Sequence, residues 1–579
     1  MLLDAQAQEA TKFFNEKKYA EAEALVLKLL DLAPNQRLAL RVLFEIRKAQ
    51  NRPKAAEVLA RRLAALPGPA VTRAAANSQL AQFLIGQGRH GDARAPAAAA
   101  LMAAPKDPTA HHVMGVVLTE TGQLLSGERH YRRAAVLLGR DDGLVLANTA
   151  WNLKLQGRLN DASALYEKAL VLRPDNRRGL GGYAQVEFLR GEPARAIAIL
   201  DGGLVRWQND RTLRLLRALA DLSLGNAEDV LGRLSDPPEN LLPAELCARG
   251  QALARLDRPA EAVMHYASAK KILREHNGQV YQYDIFVKKS DVYKSYFTSD
   301  RILPLPRAEA AAGPQPVFLL GFPRSGTALL EQLLAQIPGF APGDEFAPVA
   351  DLADLIPALS GSGKSYPEAL DHALVADGWT LPDHLRARYA QARAQIGLAR
   401  AGVQFITDRA PSNAWQLGLI KLLFPEAPII HVVRHPLDLM LSNLSQDRRL
   451  EANCHVSMLA AARHYALTMN MIKHYRGHLT LRYFPLRYED LVQHTGPALA
   501  RVLAFIGAGP DAAPQEATLR ANTARPADPT PAHYAGLEAV HERGVYRYRE
   551  YQKIMPNLFA DVQEILNPWI SELGYGVEP

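Results

Sequence analysis

At 579 residues the chain exceeds the roughly 250–300 at which one hydrophobic core stops growing, so at least two domains are required. With 48% hydrophobic and 22% charged residues it reads as an ordinary globular protein, and two distant cysteines, Cys247 and Cys454, exclude a disulfide framework or a metal knuckle. No stretch approaches the roughly 20 apolar residues of a membrane span, and the first 14 residues lack the basic and apolar regions of a secretory leader, so a cytoplasmic location is expected.

The first half repeats itself. Gly88, Gly122, Gly157, Gly191 and Gly225 recur at intervals of 34 or 35 residues. Small residues five positions after the first four (Ala93, Gly127, Ala162, Ala196) keep the same period, and the phase extends outward to Ala22, Ala56 and Ala262. Pro34, Pro67, Pro105 and Pro174 fall where a second helix must stop, because proline cannot continue it. Each unit therefore reads as helix, tight turn, helix, with a small residue that lets the pair approach closely. One pair cannot bury its own apolar face, so the pairs must stack into a solenoid. The phase, and segments such as 151–176 (WNLKLQGRLNDASALYEKALVLRPDN), resemble the tetratricopeptide repeat, with seven or eight copies over residues 1–272. The resemblance implies a surface for a protein or peptide partner, or for a second copy of the chain in a homo-oligomer.

The phase is lost after Lys271. Residues 281–297 are rich in aromatics and lysine, and 303–316 are rich in proline and alanine, so 273–313 is expected to be a docking segment and interdomain linker.

From 314 to the end the pattern changes to α/β. Residues 317–320 (VFLL) form an apolar run of the kind buried parallel strands use, 321–327 (GFPRSGT) follow directly, and 328–334 read as helix. Strand, glycine-bounded loop and helix amino terminus make a phosphate cradle of backbone N–H groups and helix dipole. Gly321 and Gly326 have the Walker A separation, yet Thr327 stands where that motif has lysine, and the cation, Arg324, lies inside the loop. ATP hydrolysis is disfavoured. The GSGKS at 361–365 lacks both the first glycine, since residue 358 is Ala358, and a preceding strand, and is read as a polar loop.

A second apolar run, 429–433 (IIHVV), delivers Arg434 at its carboxyl end, where open α/β sheets bind ligands, and Ser442 follows eight residues on. Both side chains can reach one phosphate.

The string PRSGT at 323–327 and the segment 434–442 (RHPLDLMLS) together resemble the sulfotransferases, particularly the tyrosylprotein sulfotransferases and bacterial sulfotransferases that carry tetratricopeptide repeats. The resemblance implies a P-loop-like α/β domain with a parallel sheet that uses 3'-phosphoadenosine 5'-phosphosulfate (PAPS) as co-substrate, without a metal. It implies that Arg324, Ser325, Gly326, Thr327 and Ala328 hold the 5'-phosphosulfate. Ala328 replaces a second threonine of the relatives. Arg434 and Ser442 would hold the 3'-phosphate, Tyr488 in 486–491 (LRYEDL) would meet the adenine, and Arg547 in 544–551 (GVYRYREY) would close over the donor.

Tyrosylprotein sulfotransferases place a catalytic glutamate 21 residues after the loop arginine, which here is Glu345, with Asp344 as its rival. Their leaving-group lysine sits in a Thr-Asp-Lys-x-Pro setting; residues 407–411 (TDRAP) carry Arg409 instead. Arg409 keeps the charge as a planar fork, and on this reading a lysine there is expected to be tolerated or improved. The acceptor stays open among a protein tyrosine, a glycan, a lipid and a small phenol. The rival reading is a non-catalytic repeat adaptor whose degenerate sulfotransferase domain binds nucleotide. Nucleic acid is not an expected partner, since no dense Lys/Arg run with interleaved aromatics occurs before the chain's last stretch.

Overall fold

The computed structural model describes residues 2–275, 278–309, 313–343, 345, 347–395, 398, 401–447, 450–509 and 542–576. The chain forms two compact units, Met1–Val186 and Glu187–Pro579.

Among the described residues eight helix pairs run in succession, from Leu2–Asn15 with Tyr19–Leu32 to Pro243–Arg255 with Pro259–Glu275. The repeated glycines are the turns: Gly88, Gly122, Gly157, Gly191 and Gly225 all have φ between +72° and +89°, a region that costs glycine nothing. At Lys17, Asn51 and Asp257 the same left-handed turn is made without glycine, which is why the glycine period alone misses the outer repeats. The phase residues Ala22, Ala56, Ala93, Ala162 and Ala262 are fully buried, and the helices stop two residues before Pro34, Pro67, Pro105 and Pro174. The repeat phase thus runs past the boundary at 186, and its last pairs belong to the second compact unit.

That second unit is built on a parallel sheet of order β2-β3-β1-β4-β5, with β1 Gln315–Leu320, β2 Phe340–Ala341, β3 Phe405–Asp408, β4 Ile429–Val433 and β5 Tyr483–Arg487. β4 is buried along its whole length and β1 from Pro316 on, as crossover helices on both faces require. The side chains divide by strand alternation. Val317, Leu319, Ile430 and Val432 pack with Leu330, Leu333, Leu334 and Leu499 on one face. Phe318, Leu320 and Ile429 pack on the other with Trp415, Tyr475 and a set of aromatics from 286–297.

Residues 281–309 do not run free as a linker. The helix Tyr283–Tyr296 sends Phe286, Tyr293 and Tyr296 into the sheet's core, and Phe297 lies so close to Gly418 that any side chain there would strike its ring. Beyond it, Ala308 N–H donates to Leu422 O (2.8 Å) and Glu309 N–H to Asp383 Oδ1 (2.8 Å). Burying Phe286, Tyr293, Tyr296, Phe297 and Ile302 outweighs the entropy of ordering this short segment.

The last helix pair packs on the same domain. Leu253, Ala262 and Tyr266 cluster with Leu444. Gln251 donates to Ser445 O (2.9 Å), Lys270 to Gln446 O (2.5 Å) and Arg274 to Val456 O (2.9 Å). Two of these bonds satisfy carbonyls at the carboxyl end of the helix Pro436–Leu444, where the helix itself leaves them unpaired.

Candidate active site

The loop after β1 folds tightly on itself. Arg324 takes φ +77° and Gly326 φ +109°, and Gly326 caps the helix Thr327–Ala335. A side chain at Gly321 would strike Ser325, Thr327 and the carbonyl of Val432, and one at Gly326 would reach within 2.5 Å of the Tyr488 ring. Arg324 is not glycine, so its left-handed backbone is a strained position of the kind that collects at ligand sites. Ser325 is 1% exposed and its hydroxyl has no hydrogen-bond partner, an orphan that costs free energy until a ligand atom reaches it.

Across the loop stands β4, whose end presents Arg434. Its guanidinium donates from Nη1 to Arg324 O (3.0 Å) and from Nη2 to Gly544 O (2.5 Å), and lies 4.5 Å from the centre of the Tyr488 ring. Its Nε–H is buried and without a partner. Arg324 in turn donates from Nε to Ser442 Oγ (3.1 Å), while Asn443 Nδ2 holds Pro323 O (3.0 Å). Arg324, Arg434, Ser442 and Tyr488 therefore meet in one place at the carboxyl ends of β1 and β4.

The segment 542–554 closes this cluster, though not through the expected residue. Gly544 supplies the carbonyl, while Arg547 turns away to Tyr551, donating from Nη2 to its hydroxyl (3.1 Å) over its ring. Arg547 lies next to a buried aromatic that offers both a π face and an acceptor, and that local pairing decides its direction. Tyr548 N–H donates to Asp438 Oδ1 (2.8 Å), and the Tyr548 ring stacks on His435 at 4.2 Å. His435 in turn caps the helix Pro436–Leu444 through Nδ1, and burial pushes its pKa down to about 3. Burial also raises Asp438 to about 6.

Glu345 and Arg409, expected as separate base and cation, form an ion pair. Arg409 Nη1 donates to Glu345 Oε1 (2.8 Å), and Nε to Glu331 Oε2 (2.6 Å). Glu331 also accepts from Thr407 Oγ1 (2.5 Å), and Thr407 accepts the N–H of Gly343 (3.1 Å). Arg409 is 6% exposed and held by two carboxylates, so its fork is a structural link between the loop helix, β3 and the Glu345 turn. A lysine has one nitrogen to share between the two carboxylates where the fork has two spaced ones, so this geometry argues against the expectation that lysine is tolerated. Asp344 lies outside the described residues.

The loop helix starts at Thr327, one residue before the expected start at Ala328. Sequence reasoning missed Glu331, Asp438, His435 and Gly544. Glu331 had a signal, a lone acid inside the apolar run 327–335 (TALLEQLLA); the others had none, because their partners lie far away in the chain. Among the described residues no group of three or more His, Cys, Asp or Glu is placed to hold a metal ion, and no helix is long and apolar enough to cross a membrane.

A parallel sheet, a strained anion loop at a helix amino terminus and two arginines beside it define a phosphate-loop domain of the α/β class, preceded by a helical-repeat array. Residues 316–510 match the model of the sulfotransferase family, and the helix pairs that precede them keep the phase that resembles the tetratricopeptide repeat. The chain is 36% identical over 139 residues to an uncharacterized protein of Aquifex aeolicus (strain VF5), an overlap of 23% of this chain and 17% of that one. The chain thus matches well under two thirds of that relative's length. Among solved structures it is similar to PilW, a type IV pilus biogenesis factor (20% identity, 37% of this chain and 97% of that one, TM-score 0.33). It is also similar to a tetratricopeptide repeat protein of Parabacteroides merdae ATCC 43184 (14% identity, 46% and 92%, TM-score 0.31).

Proposed function

We propose that the domain moves a sulfuryl group from PAPS to an acceptor hydroxyl, releasing adenosine 3',5'-bisphosphate. The observation that carries this reading is the meeting of Arg324, Arg434 and Ser442 around a loop whose Ser325 hydroxyl is buried without a partner. Ser325, the loop N–H groups and Arg324 suit the 5'-phosphosulfate, and Arg434 with Ser442 suits the 3'-phosphate. A bidentate guanidinium and backbone donors favour such dianionic groups. Tyr488 supports the site by packing between Gly326 and Arg434.

In the transfer the acceptor oxygen attacks sulfur, the bond from sulfur to the bridging phosphate oxygen breaks, and the acceptor proton leaves to Glu345. Positioning and electrostatics supply most of the rate in such in-line transfers. Arg324 neutralises charge on the transferring group, and Arg409 sets the direction of the Glu345 carboxylate. For the acceptor we favour a tyrosine of a protein or peptide, a choice supported by the 21-residue spacing of Glu345 from Arg324 and by an adjoining repeat array of a kind suited to peptides. A cytoplasmic setting is supported by Cys247 and Cys454, which are buried and form no disulfide.

Calorimetry with adenosine 3',5'-bisphosphate, then transfer of labelled sulfuryl from PAPS to tyrosine peptides and glycans, tests the reading. Binding and transfer are expected, with Glu345→Gln keeping affinity while turnover falls by roughly 10²–10⁴-fold. Binding without transfer to any acceptor would return the domain to a nucleotide-sensing adaptor.

A further inference from the structure

Glu331 lies off the chemistry but touches Thr407 and Arg409, which hold the Glu345 turn. It sits on the loop helix, 1% exposed, between the hydroxyl of Thr407 and Nε of Arg409. Through Thr407 it also reaches Gly343 N–H, two residues before Glu345. A carboxylate this deep is retained only against a matching cation, and Arg409 is that cation. Yet Arg409 serves Glu345 as well, so two carboxylates share one guanidinium and the three groups together carry a net charge of −1.

We propose that Glu331 is a positioning residue that absorbs part of the charge of Arg409 and so keeps Glu345 a competent base, while Thr407 ties the Glu345 turn to the same anchor. This rests on the assignment of Glu345 as base in the proposed function. Without Glu331 more of the Arg409 charge would fall on the Glu345 carboxylate and make it reluctant to take the acceptor proton; a cation at this range lowers a carboxylate's affinity for protons by up to roughly 1–3 pH units. A second ion pair lies beside the cluster. Arg393 pairs with Asp408 (2.5 Å) and donates to Gly343 O (3.1 Å), and Asp408 also accepts from Tyr389 (3.0 Å) and Asn413 (2.7 Å). Glu331 and Glu345 each accept a hydrogen bond from Arg409.

The test is the pH profile of sulfuryl transfer in Glu331→Gln, with adenosine 3',5'-bisphosphate binding as the check of folding. The acid limb of kcat is expected to move to lower pH by about one unit while the plateau falls roughly 10-fold and the KM for PAPS holds. Thr407→Val, which keeps both charges, is expected to lower kcat without moving the limb. An acid limb that stays in place in Glu331→Gln overturns the proposal, even if the melting temperature drops. Should Glu331→Gln lose nucleotide binding, Glu331→Asp takes its place: the shorter acid withdraws from Arg409, so the limb should move the same way by less, and an unmoved limb again overturns the idea. Glu345→Gln separates the two claims. If it transfers at the natural rate, the base assignment fails; if it is silent while Glu331→Gln keeps the natural limb, only the role of Glu331 fails.

Discussion

Arg324 Nε and Ser442 Oγ lie 3.1 Å apart although 118 residues separate them in the chain. The contact joins the phosphate loop to the helix Pro436–Leu444, and Arg434 closes the same triangle by donating to the Arg324 carbonyl (3.0 Å). The two arginines are thus joined through the loop backbone on one side and Ser442 on the other.

Removing one corner should weaken the nucleotide site without unfolding the domain. A hydrogen bond to a charged group contributes about 1.5–3 kcal/mol, so Arg434→Ala is expected to weaken adenosine 3',5'-bisphosphate by roughly 10–100-fold and Ser442→Ala by less. Arg434→Lys should behave more like alanine than like the natural chain, because a single ammonium cannot hold Arg324 O and Gly544 O while lying on the Tyr488 ring. Calorimetry at fixed ionic strength measures all three.

Arg409→Lys is expected to be costly. The guanidinium spans Glu331 and Glu345, and Glu331 is almost wholly buried. Losing one of the two attachments leaves a carboxylate short of a donor, at about 1–3 kcal/mol. The unfolding free energy from denaturant titration should fall by that amount and turnover should fall with it. A lysine variant as stable and active as the natural protein would show that Arg409 is not a bridge.

Stability should drop on mild acidification through His435. Its unfolded pKa is near 6.5 and burial lowers the folded value to about 3, so between those limits the unfolded chain binds the extra proton. The contribution is fully present above about 6.5 and is lost as pH falls toward 3, at roughly 1.4 kcal/mol per pH unit. Asp438, raised to about 6, acts in the opposite sense, adding stability as pH falls from 6 toward 4. His435→Gln should flatten the acid limb of the stability curve, and Asp438→Asn should steepen it; chemical unfolding across pH 4 to 7 distinguishes them.

Truncation should respect the packing of the second unit rather than the end of the repeats. A fragment of residues 187–579 is expected to fold and bind nucleotide. A fragment starting at 314 should aggregate or melt far lower, because it lacks Phe286, Tyr293 and Phe297 from the core and Gln251 and Lys270 from the carbonyls of 445 and 446. Calorimetric melting of the two fragments decides it; equal stability would mean that these contacts contribute nothing.

Short-range chemistry was legible before any coordinates. The 34-residue glycine period appears as left-handed turns, because a helix pair needs a positive φ at its corner and glycine adopts it freely. Strand, loop and helix around 315–335 follow from an apolar run, two glycines and a helix-forming tail. The outer repeats were harder, since Lys17, Asn51 and Asp257 make the same turn with residues that carry no such signature.

What local pattern could not contain is partnership. Residues 324, 434 and 442 were named from spacing, but that Arg324 reaches Ser442 depends on β1 and β4 lying side by side in register, Leu320 opposite His431. Arg409 and Glu345 were each assigned a separate task, and only the fold placed Glu345 and Glu331 together on Arg409, through bonds 64 and 78 residues long in sequence. Arg547 was assigned to the donor and turned instead to Tyr551, one helical turn away. Backbone preference is set by each residue and its near neighbours, so it can be read along the chain; charge pairing and burial are set by whatever the sheet brings together, and that is decided only in three dimensions.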